Sequence, residues 1–565
     1  MTETPRNQTY DLAVIGSGFA GSLIAMIARR LGRSVVLIER GRHPRFAIGE
    51  SSTPLSNLLL EELAARYRLA EIRPLAKWGS WQRTHPEIPC GLKRGFTFYH
   101  HPLDHPAPRA SDPSASTTGR TRQLLVAASP HDAIADTHWY RADFDQFFVQ
   151  AAQRAEVEYY DRIELNRVSQ FPGYLLLEGC CPEPEPQPGA VSPRPPRSCS
   201  FRARFVLDAT GPRGFLHRAL SLGEEPLPDM PPTQALFSHF TGVARLADLP
   251  PAASSSPDTP PYPIDDAAVH HIFPGGWIWV LRFNNGVTSA GAALTASTAA
   301  RFGLSAAPDT PDCQPRYAAA WNQLLAGIPA LQAQFSRSER TRPFTHLPCL
   351  SFRSAQIAGP RWALLPSAAG FVDPLLSTGF PLALLGIRRL AAFLAATPPG
   401  QETTPQAAAR LEDYAAQTGD ELLAAARLIA ALYAAMDNFP VFTALTMLYF
   451  AAVSYAEAAQ RLGKPELASS FLLHNHPRFG PDLRRLIAQS HNAGSPIHSA
   501  RFSEEIRRAI DPINVAGLAD PARRNWYPVD ANDLLANAHK LHATREEAEA
   551  LLTRCGFYPQ STPSL

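Results

Sequence analysis

The chain has 565 residues, of which 45% are hydrophobic and 18% charged, and its formal net charge is +2 at pH 7. That length holds about three or four core-sized units, or one large α/β body that merges them. The composition excludes a disordered chain, and the near-zero charge excludes the broad basic field of a nucleic-acid or acidic-membrane binder.

Seven cysteines (Cys90, Cys180, Cys181, Cys199, Cys313, Cys349 and Cys555) form neither a C-x-x-C pair nor a zinc spacing. This predicts a reducing compartment, no disulfide framework and no metal site. Residues 1–10 carry no apolar leader core. Residues 441–455, the most apolar late stretch, are too short to span a bilayer comfortably and read as a buried helix. The expectation is a cytoplasmic protein with no transmembrane segment and no nucleic-acid partner.

Residues 11–15 are a short apolar run ending at a glycine, which predicts a buried parallel strand. A helix over 19–31 and a strand over 34–39 complete a βαβ unit. Helices are predicted over 58–66 and 143–154, and residues 205–211 read as a strand running into a glycine turn. Four Pro- and Ser-rich segments, 102–119, 182–200, 226–233 and 250–263, read as surface insertions. Short β-type runs at 235–243, 277–283 and 287–292 predict a second, more antiparallel sheet, and 362–365 returns to the parallel type. From Pro381 to about Ala459 the chain reads as almost wholly helical, and residues 526–557 as two further helices.

The first βαβ turn is Gly16-Ser-Gly18-Phe19-Ala20-Gly21. The first glycine permits the tight turn, the second admits a pyrophosphate to the backbone, and the third lets helix and strand pack closely. The helix N-terminus offers unpaired N–H groups to phosphates. Glu39 ends the second strand, where an acid bonds ribose hydroxyls, so a free 2′-hydroxyl as in FAD or NAD is expected rather than NADP. FAD is favoured over NAD by three later segments: Arg45 to Pro54, Asp208-Ala-Thr-Gly211, and Ala368-Ala-Gly370-Phe-Val-Asp373-Pro374. No second glycine triplet of dinucleotide type follows, so a nicotinamide domain is not expected.

Taken together, several segments between about Asp11 and Arg389 resemble the flavin-dependent halogenases. The telling ones are Ile48-Gly49-Glu50-Ser51 with Thr53-Pro54, Lys93-Arg-Gly95-Phe-Thr-Phe98 and Gly276-Trp277-Ile-Trp279. Three departures stand against that pattern. Val280-Leu281 replaces Ile-Pro after the tryptophan pair, Pro366-Ser367 replaces Gly-Asp, and Leu376 stands where tryptophan halogenases carry glutamate. The resemblance therefore leans toward the phenol and pyrrole types. It implies an α/β fold: a Rossmann-like FAD-binding domain of glutathione-reductase type, an inserted antiparallel β-sheet substrate domain, and a helical C-terminal region. The expected boundaries are 1–100 and 101–215 for the FAD-binding domain, 216–342 for the β-sheet domain, 343–400 for the last FAD-binding part, and 401–565 for the helical region.

The resemblance also implies a reaction. Reduced FAD, supplied by a separate flavin reductase, and oxygen give a flavin hydroperoxide. Chloride or bromide attacks it, and the hypohalous acid reaches a lysine beside a small aromatic substrate, free or carrier-tethered. Lys93 is the expected lysine, with Lys77 second; it acts as a hydrogen-bond donor or as a haloamine. An ordinary surface lysine is the competing reading. Trp277 and Trp279 face one side of a strand and either wall the flavin region or serve as core tryptophans. The residues expected to hold the cofactor are Gly16, Gly18, Phe19, Ala20, Gly21, Glu39, Arg40, Arg45, Gly49, Glu50, Ser51, Arg141, Gly211, Ser367, Asp373 and Pro374. Arg141 also reads as a surface partner of Asp143 or Asp145. Thr378 and Gly379 are expected to bind halide through exposed amides. His100 and His101 read as a solvated pair. Two rival readings stay open: an FAD monooxygenase or reductase of an apolar substrate, and a flavin-binding protein without catalysis.

Overall fold

The computed structural model describes residues 8–103, 118–181, 197–249, 259–304, 313–490 and 496–558. In chain order, its main strands begin with β1 (Thr9–Ile15), β2 (Val35–Ile38), β3 (Cys90–Lys93), β4 (Gly95–His100), β5 (Gln123–Ala127), β6 (Asp136–Trp139) and β7 (Glu158–Tyr160). They continue with β8 (Glu164–Phe171), β9 (Tyr174–Cys181), β10 (Arg197–Asp208), β11 (Thr233–Thr241), β12 (Ala268–Phe273), β13 (Gly276–Arg282) and β14 (Thr288–Thr295). Two early helices, α1 (Phe19–Arg30) and α2 (Pro54–Arg66), interrupt them.

The first sheet is built on the parallel run β10-β1-β2-β7, with Trp362–Leu364 parallel to the end of β10. β9 pairs antiparallel with the beginning of β10, and β8 with β9. The apolar runs of β1 and β2 are buried because helices cover them, as parallel strands require. Every residue of α1 from Phe19 to Ala28 is buried. Gly16 has φ +94°, and a Cβ there would lie 2.7 Å from the carbonyl oxygen of Ala209. A Cβ on Gly21 would lie 1.9 Å from the carbonyl oxygen of Gly16. Helix α1 therefore seats directly on the turn that leaves β1, which no larger residue at position 21 permits.

The second sheet runs β11-β14-β13-β12-β4-β5 and ends on Trp526–Tyr527. Its pairings are antiparallel except β12 with β4 and Trp526–Tyr527 with β5. This corrects two expectations. The sheet draws β4 and β5 from the span assigned to the dinucleotide unit, because the buried Phe96-Thr97-Phe98 stretch pairs along β12. The tail does not begin as a helix: Trp526–Tyr527 adds a strand to the edge of β5, and the Trp526 indole donates to Gln123 at 2.9 Å. Two helices follow it, Ala531–Asn537 and Arg545–Arg554. A third correction concerns the Pro/Ser-rich stretch 182–200, since its last residues open β10. Residues 104–117 and 250–258 of the other such stretches, and 182–196 of this one, lie outside the described residues.

β3 and β6 form a separate antiparallel ribbon that sets Lys93 opposite Asp136. After it, the long helices Gly379–Ala396, Pro405–Ala434 and Phe439–Arg461 pack over the sheets. Segments Leu375–Ala396 and Phe439–Arg461 are long and apolar enough to cross a membrane, but 67% and 89% of their apolar windows are buried inside the fold. The second of these contains the stretch 441–455 expected as a buried helix.

Substituting Gly21→Ala forces the α1 N-terminus away from the turn. We expect a loss of about 3 kcal/mol of stability, read as a lowered urea midpoint at unchanged slope.

Candidate functional site

The glycine turn and the residues around it form one end of the site. Glu39 is buried, and its carboxylate accepts from the Ser17 amide at 2.9 Å, the Ser17 hydroxyl at 3.0 Å, the Gly41 amide at 2.8 Å and Arg45 at 3.2 Å. Burial pushes this carboxyl up, but Arg45 and the Ser17 and Gly41 hydrogen bonds outweigh it and hold the group below its ordinary value. Arg141 is not a surface partner. It is buried, grips Asp145 through two 2.8 Å bonds, and donates to the carbonyls of Ile48 at 3.1 Å and Gly49 at 2.8 Å. Asp145 in turn accepts from the Phe19 amide at 3.2 Å.

This end fits the ADP half of a dinucleotide. Above Gly18, a Cβ would lie 3.6 Å from the Arg141 guanidinium, 3.6 Å from the Asp145 carboxylate that Arg141 grips and 3.9 Å from the Arg45 guanidinium, so two cations and one acid border the glycine loop and the α1 N-terminus. Buried nitrogens of His43 (Nδ1) and Arg45 (Nε) have no partner there. The structure thus brings together Gly16, Gly18, Phe19, Ala20, Gly21, Glu39, Arg45, Gly49 and Arg141. Gly211 has φ +85° just beyond the Asp208–Thr210 turn, near the same edge. Arg40 is exposed and makes no described contact with the group.

A second end is formed by the start of the helix Gly379–Ala396. Phe380 stacks on Trp139 at 4.3 Å and meets the edge of Phe19 at 5.3 Å, so this N-terminus and that of α1 converge. Just before it, Leu376 and Ser377 both adopt left-handed backbone (φ 62° and 55°), a strained pair for non-glycine residues. The Tyr449 hydroxyl holds this bend by donating to the Leu376 carbonyl at 2.8 Å. Thr378 is buried and Gly379 exposed. Pro374 directly precedes this bend, whereas the short helix carrying Ser367 packs near Gly386, further along the long helix. Asp373, expected on the cofactor, spends both carboxylate oxygens on the protein: it accepts from Tyr433 at 2.8 Å, from the Leu375 amide at 2.9 Å and from the Trp277 indole at 3.2 Å. Burial pushes this carboxyl up to about 7.

Lys93 lies between these ends and the helical cover. Its side chain is fully buried, so the surface-lysine reading fails. The amine donates to the Ser51 hydroxyl at 2.9 Å and the Ser52 carbonyl at 2.5 Å, and rests 3.8 Å from the centroid of Phe96. Burial lowers the basicity of this amine and raises the pKa of Asp136 opposite; each partner's charge opposes the other's shift. His138 and His270 also border Lys93. Burial, then the nearby lysine, pushes each to about 3, so both are neutral. Trp277 and Trp279 are buried with centroids 5.6 Å apart, and Trp277 packs on His270 at 5.2 Å. Ser51, expected on the cofactor, gives its hydroxyl to Lys93. Glu50 binds His239 at 2.8 Å, and its second carboxylate oxygen is buried without a partner.

Beyond Phe96 lies a cavity of about 220 Å³. Asn57, Phe96, Asp136, Tyr449, Phe450 and Tyr527 are among its walls, and Glu61, Lys77, Glu457 and Arg461 stand at its polar side. Lys77 therefore borders this cavity, with its amine 3.6 Å from Glu61. Lys93 itself does not line the cavity; the Phe96 ring stands between. His100 and His101 are engaged by the Met436 carbonyl at 3.1 Å and by His271 at 2.9 Å. Among the described residues no cluster of His, Cys, Asp and Glu is arranged for a metal.

Sequence reading passed over Ser52, Asn57, Asp136, His239 and Tyr433, and met Asp145 only as a surface partner of Arg141. Asp136 carried a usable signal: Asp136 and His138 alternate on one face of a four-residue run that is buried throughout.

The sequence profile of the FAD dependent oxidoreductase family matches residues 11–351. Among curated relatives, tetracycline 7-halogenase of Kitasatospora aureofaciens is 30% identical over 67% of this chain and 63% of its own length. Monodechloroaminopyrrolnitrin halogenase PrnC of Pseudomonas fluorescens is 27% identical over 68% of this chain and 61% of its own. The chain thus spans less than two thirds of either relative. The crystal structure of halogenase PltM with phloroglucinol and FAD shares the fold at a TM-score of 0.73 and 22% identity, covering 91% of this chain and 99% of that one.

Because Asp373 has a raised folded-state value, its stability contribution is present below the ordinary carboxylate value and is lost as pH rises through about 7. Relative to wild type, Asp373→Asn should gain stability between pH 5 and pH 8. Thermal melts of the FAD-loaded proteins at the two pH values check this; an unchanged difference contradicts it.

Proposed function

The chain belongs to the FAD-dependent oxidoreductase family and resembles the flavin-dependent halogenases, and from that premise we propose that it is a reduced-FAD-dependent halogenase of an electron-rich aromatic small molecule. The observation that carries this reading is the wholly buried amine of Lys93, held between the loop beside the cofactor cradle and an aromatic-walled cavity. Burying an ammonium is costly even when it is paired and hydrogen-bonded, and such perturbed groups concentrate at functional sites.

In this proposal the phosphates of FAD rest on the Gly16–Gly21 turn, with Arg45 and Arg141 beside them and Glu39 toward the ribose. Reduced FAD, when bound, supplies the activated oxygen that converts chloride or bromide into hypohalous acid. The amides of Thr378 and Gly379 hold the halide at the helix start. Trp277 and Trp279 exclude water between that corner and Lys93. Lys93 spends two N–H groups on Ser51 and Ser52, so a third remains for hypohalous acid. Its depressed basicity keeps the neutral, haloamine-forming state within reach as well.

The relatives' names supply the acceptor class: a tetracycline, an aminopyrrolnitrin precursor and carrier-bound pyrroles, with phloroglucinol seated in a structural neighbour. A separate flavin reductase and a cytoplasmic setting belong to the same proposal.

The test supplies the protein with FAD, a flavin reductase, oxygen and bromide, and screens phenols, pyrroles and indoles by mass spectrometry. Brominated product should appear only with bromide. Lys93→Ala should lower its rate by at least about a hundredfold while retaining FAD. Oxygenated product at equal yield without bromide would replace this reading with a monooxygenase, which Ser367 in place of aspartate favours. Bound FAD with no product from any acceptor would leave a flavin-binding protein without catalysis.

A further inference from the structure

Asp136 is an unfinished hydrogen-bonding group. It lies on β6, 5% exposed, and lines the cavity beside Phe96. One carboxylate oxygen accepts from the Asn57 amide at 2.8 Å. The other, Oδ2, is buried and has no partner. A buried carboxylate oxygen without a donor is expensive, and such groups are rare enough to call for a ligand or an ordered solvent molecule. No nearby donor bonds to it: two N–H groups of Lys93 go to Ser51 and Ser52, and the Tyr449 hydroxyl goes to the Leu376 carbonyl.

The cavity limits what can fill that position. Its volume is about 220 Å³, and an apolar cavity of about 150 Å³ accommodates benzene. One aromatic ring with small substituents fits that volume. Phe96, Phe450 and Tyr527 offer ring faces and edges to it.

Resting on the halogenase reading, we propose that the substrate is a single-ring arene bearing an O–H or ring N–H donor, that Asp136 Oδ2 accepts that hydrogen, and that this bond sets which ring carbon faces the Phe96 wall, behind which Lys93 lies. The chemistry balances for a phenol. The phenolic oxygen releases electron density into the ring as a ring carbon takes the halogen from hypohalous acid and the O–X pair leaves with the oxygen as hydroxide. The ring proton displaced from that carbon converts the hydroxide to water. Asp136 holds the phenolic hydrogen while the ring is electron-rich and returns it when aromaticity is restored. Burial raises the carboxyl of Asp136 and Lys93 opposes that shift, which suits a group that shares a proton with its ligand.

Calorimetric titration of the FAD-loaded enzyme with 4-methylphenol and with its methyl ether, 4-methylanisole, tests the proposal without turnover. Wild type should bind the phenol at least about tenfold more tightly than the ether. In Asp136→Asn that preference should shrink to less than about threefold, with FAD content reporting that the variant is folded. Asp136→Ser serves if the asparagine variant loses FAD. Equal wild-type affinity for phenol and ether overturns the proposal, as does a preference that both variants keep. The wild-type comparison alone decides the matter if neither variant folds. Phenol preference without any bromination keeps the Asp136 assignment and removes the halogenase reading. Bromination of ether and phenol at equal rates does the reverse.

Discussion

Everything in the candidate site hangs on one short seam of hydrogen bonds between the loop Glu50–Thr53 and β6. The Trp139 amide donates to the Glu50 carbonyl at 2.6 Å, the Ser52 amide donates to the Thr137 carbonyl at 3.2 Å, and the Ser52 hydroxyl to that same carbonyl at 2.7 Å. Through this seam the loop acts as a third strand against the β3–β6 ribbon. Upstream, Arg141 fixes the carbonyls of Ile48 and Gly49. Downstream, Ser51 and Ser52 receive the Lys93 amine. One continuous piece of backbone therefore sets the spacing between the cofactor cradle and the lysine.

The seam also explains how the fold tolerates so many buried polar groups in one place. Lys93, Asp136, His138 and His270 sit within a core of tryptophan and phenylalanine. Two histidines are kept neutral, and the lysine and aspartate temper each other's ionisation. An arrangement of this kind is poor for stability compared with apolar packing. Its retention is intelligible if the charges serve reaction or recognition, which is where locally unfavourable choices concentrate.

The dinucleotide turn was legible because every requirement for it is local: strand, glycines, helix and acid lie within thirty residues, and each obeys steric rules readable one residue at a time. The helical C-terminal region was readable for the same reason, as runs of apolar period, whereas the full fold class rested on the resemblance. Sheet membership was not. Whether β4 joins the first sheet or the second depends on pairing with β12, some 170 positions later, and nothing near Phe96-Thr97-Phe98 states that partner. Asp373 shows the same limit from the other side: its motif placed it at the cofactor corner, but only the fold reveals that Trp277 and Tyr433 take up its carboxylate. Asp136 went unnoticed because its alternation with His138 spans only a four-residue run, too short to single out one acid.

The two-residue strand Trp526–Tyr527 closes the far wall of the cavity from the end of the described chain, with Leu551, Leu552 and Phe557 alongside it. That wall joins segments some 400 positions apart, since Trp526–Tyr527 lie along Leu125–Val126. Without the late segment, Phe96 and the aromatic face beneath it have no cover, and the lysine behind that ring is sheltered by a single phenyl group. A single cut in the chain ahead of Trp526 would therefore unroof the cavity while sparing the glycine turn and its arginines.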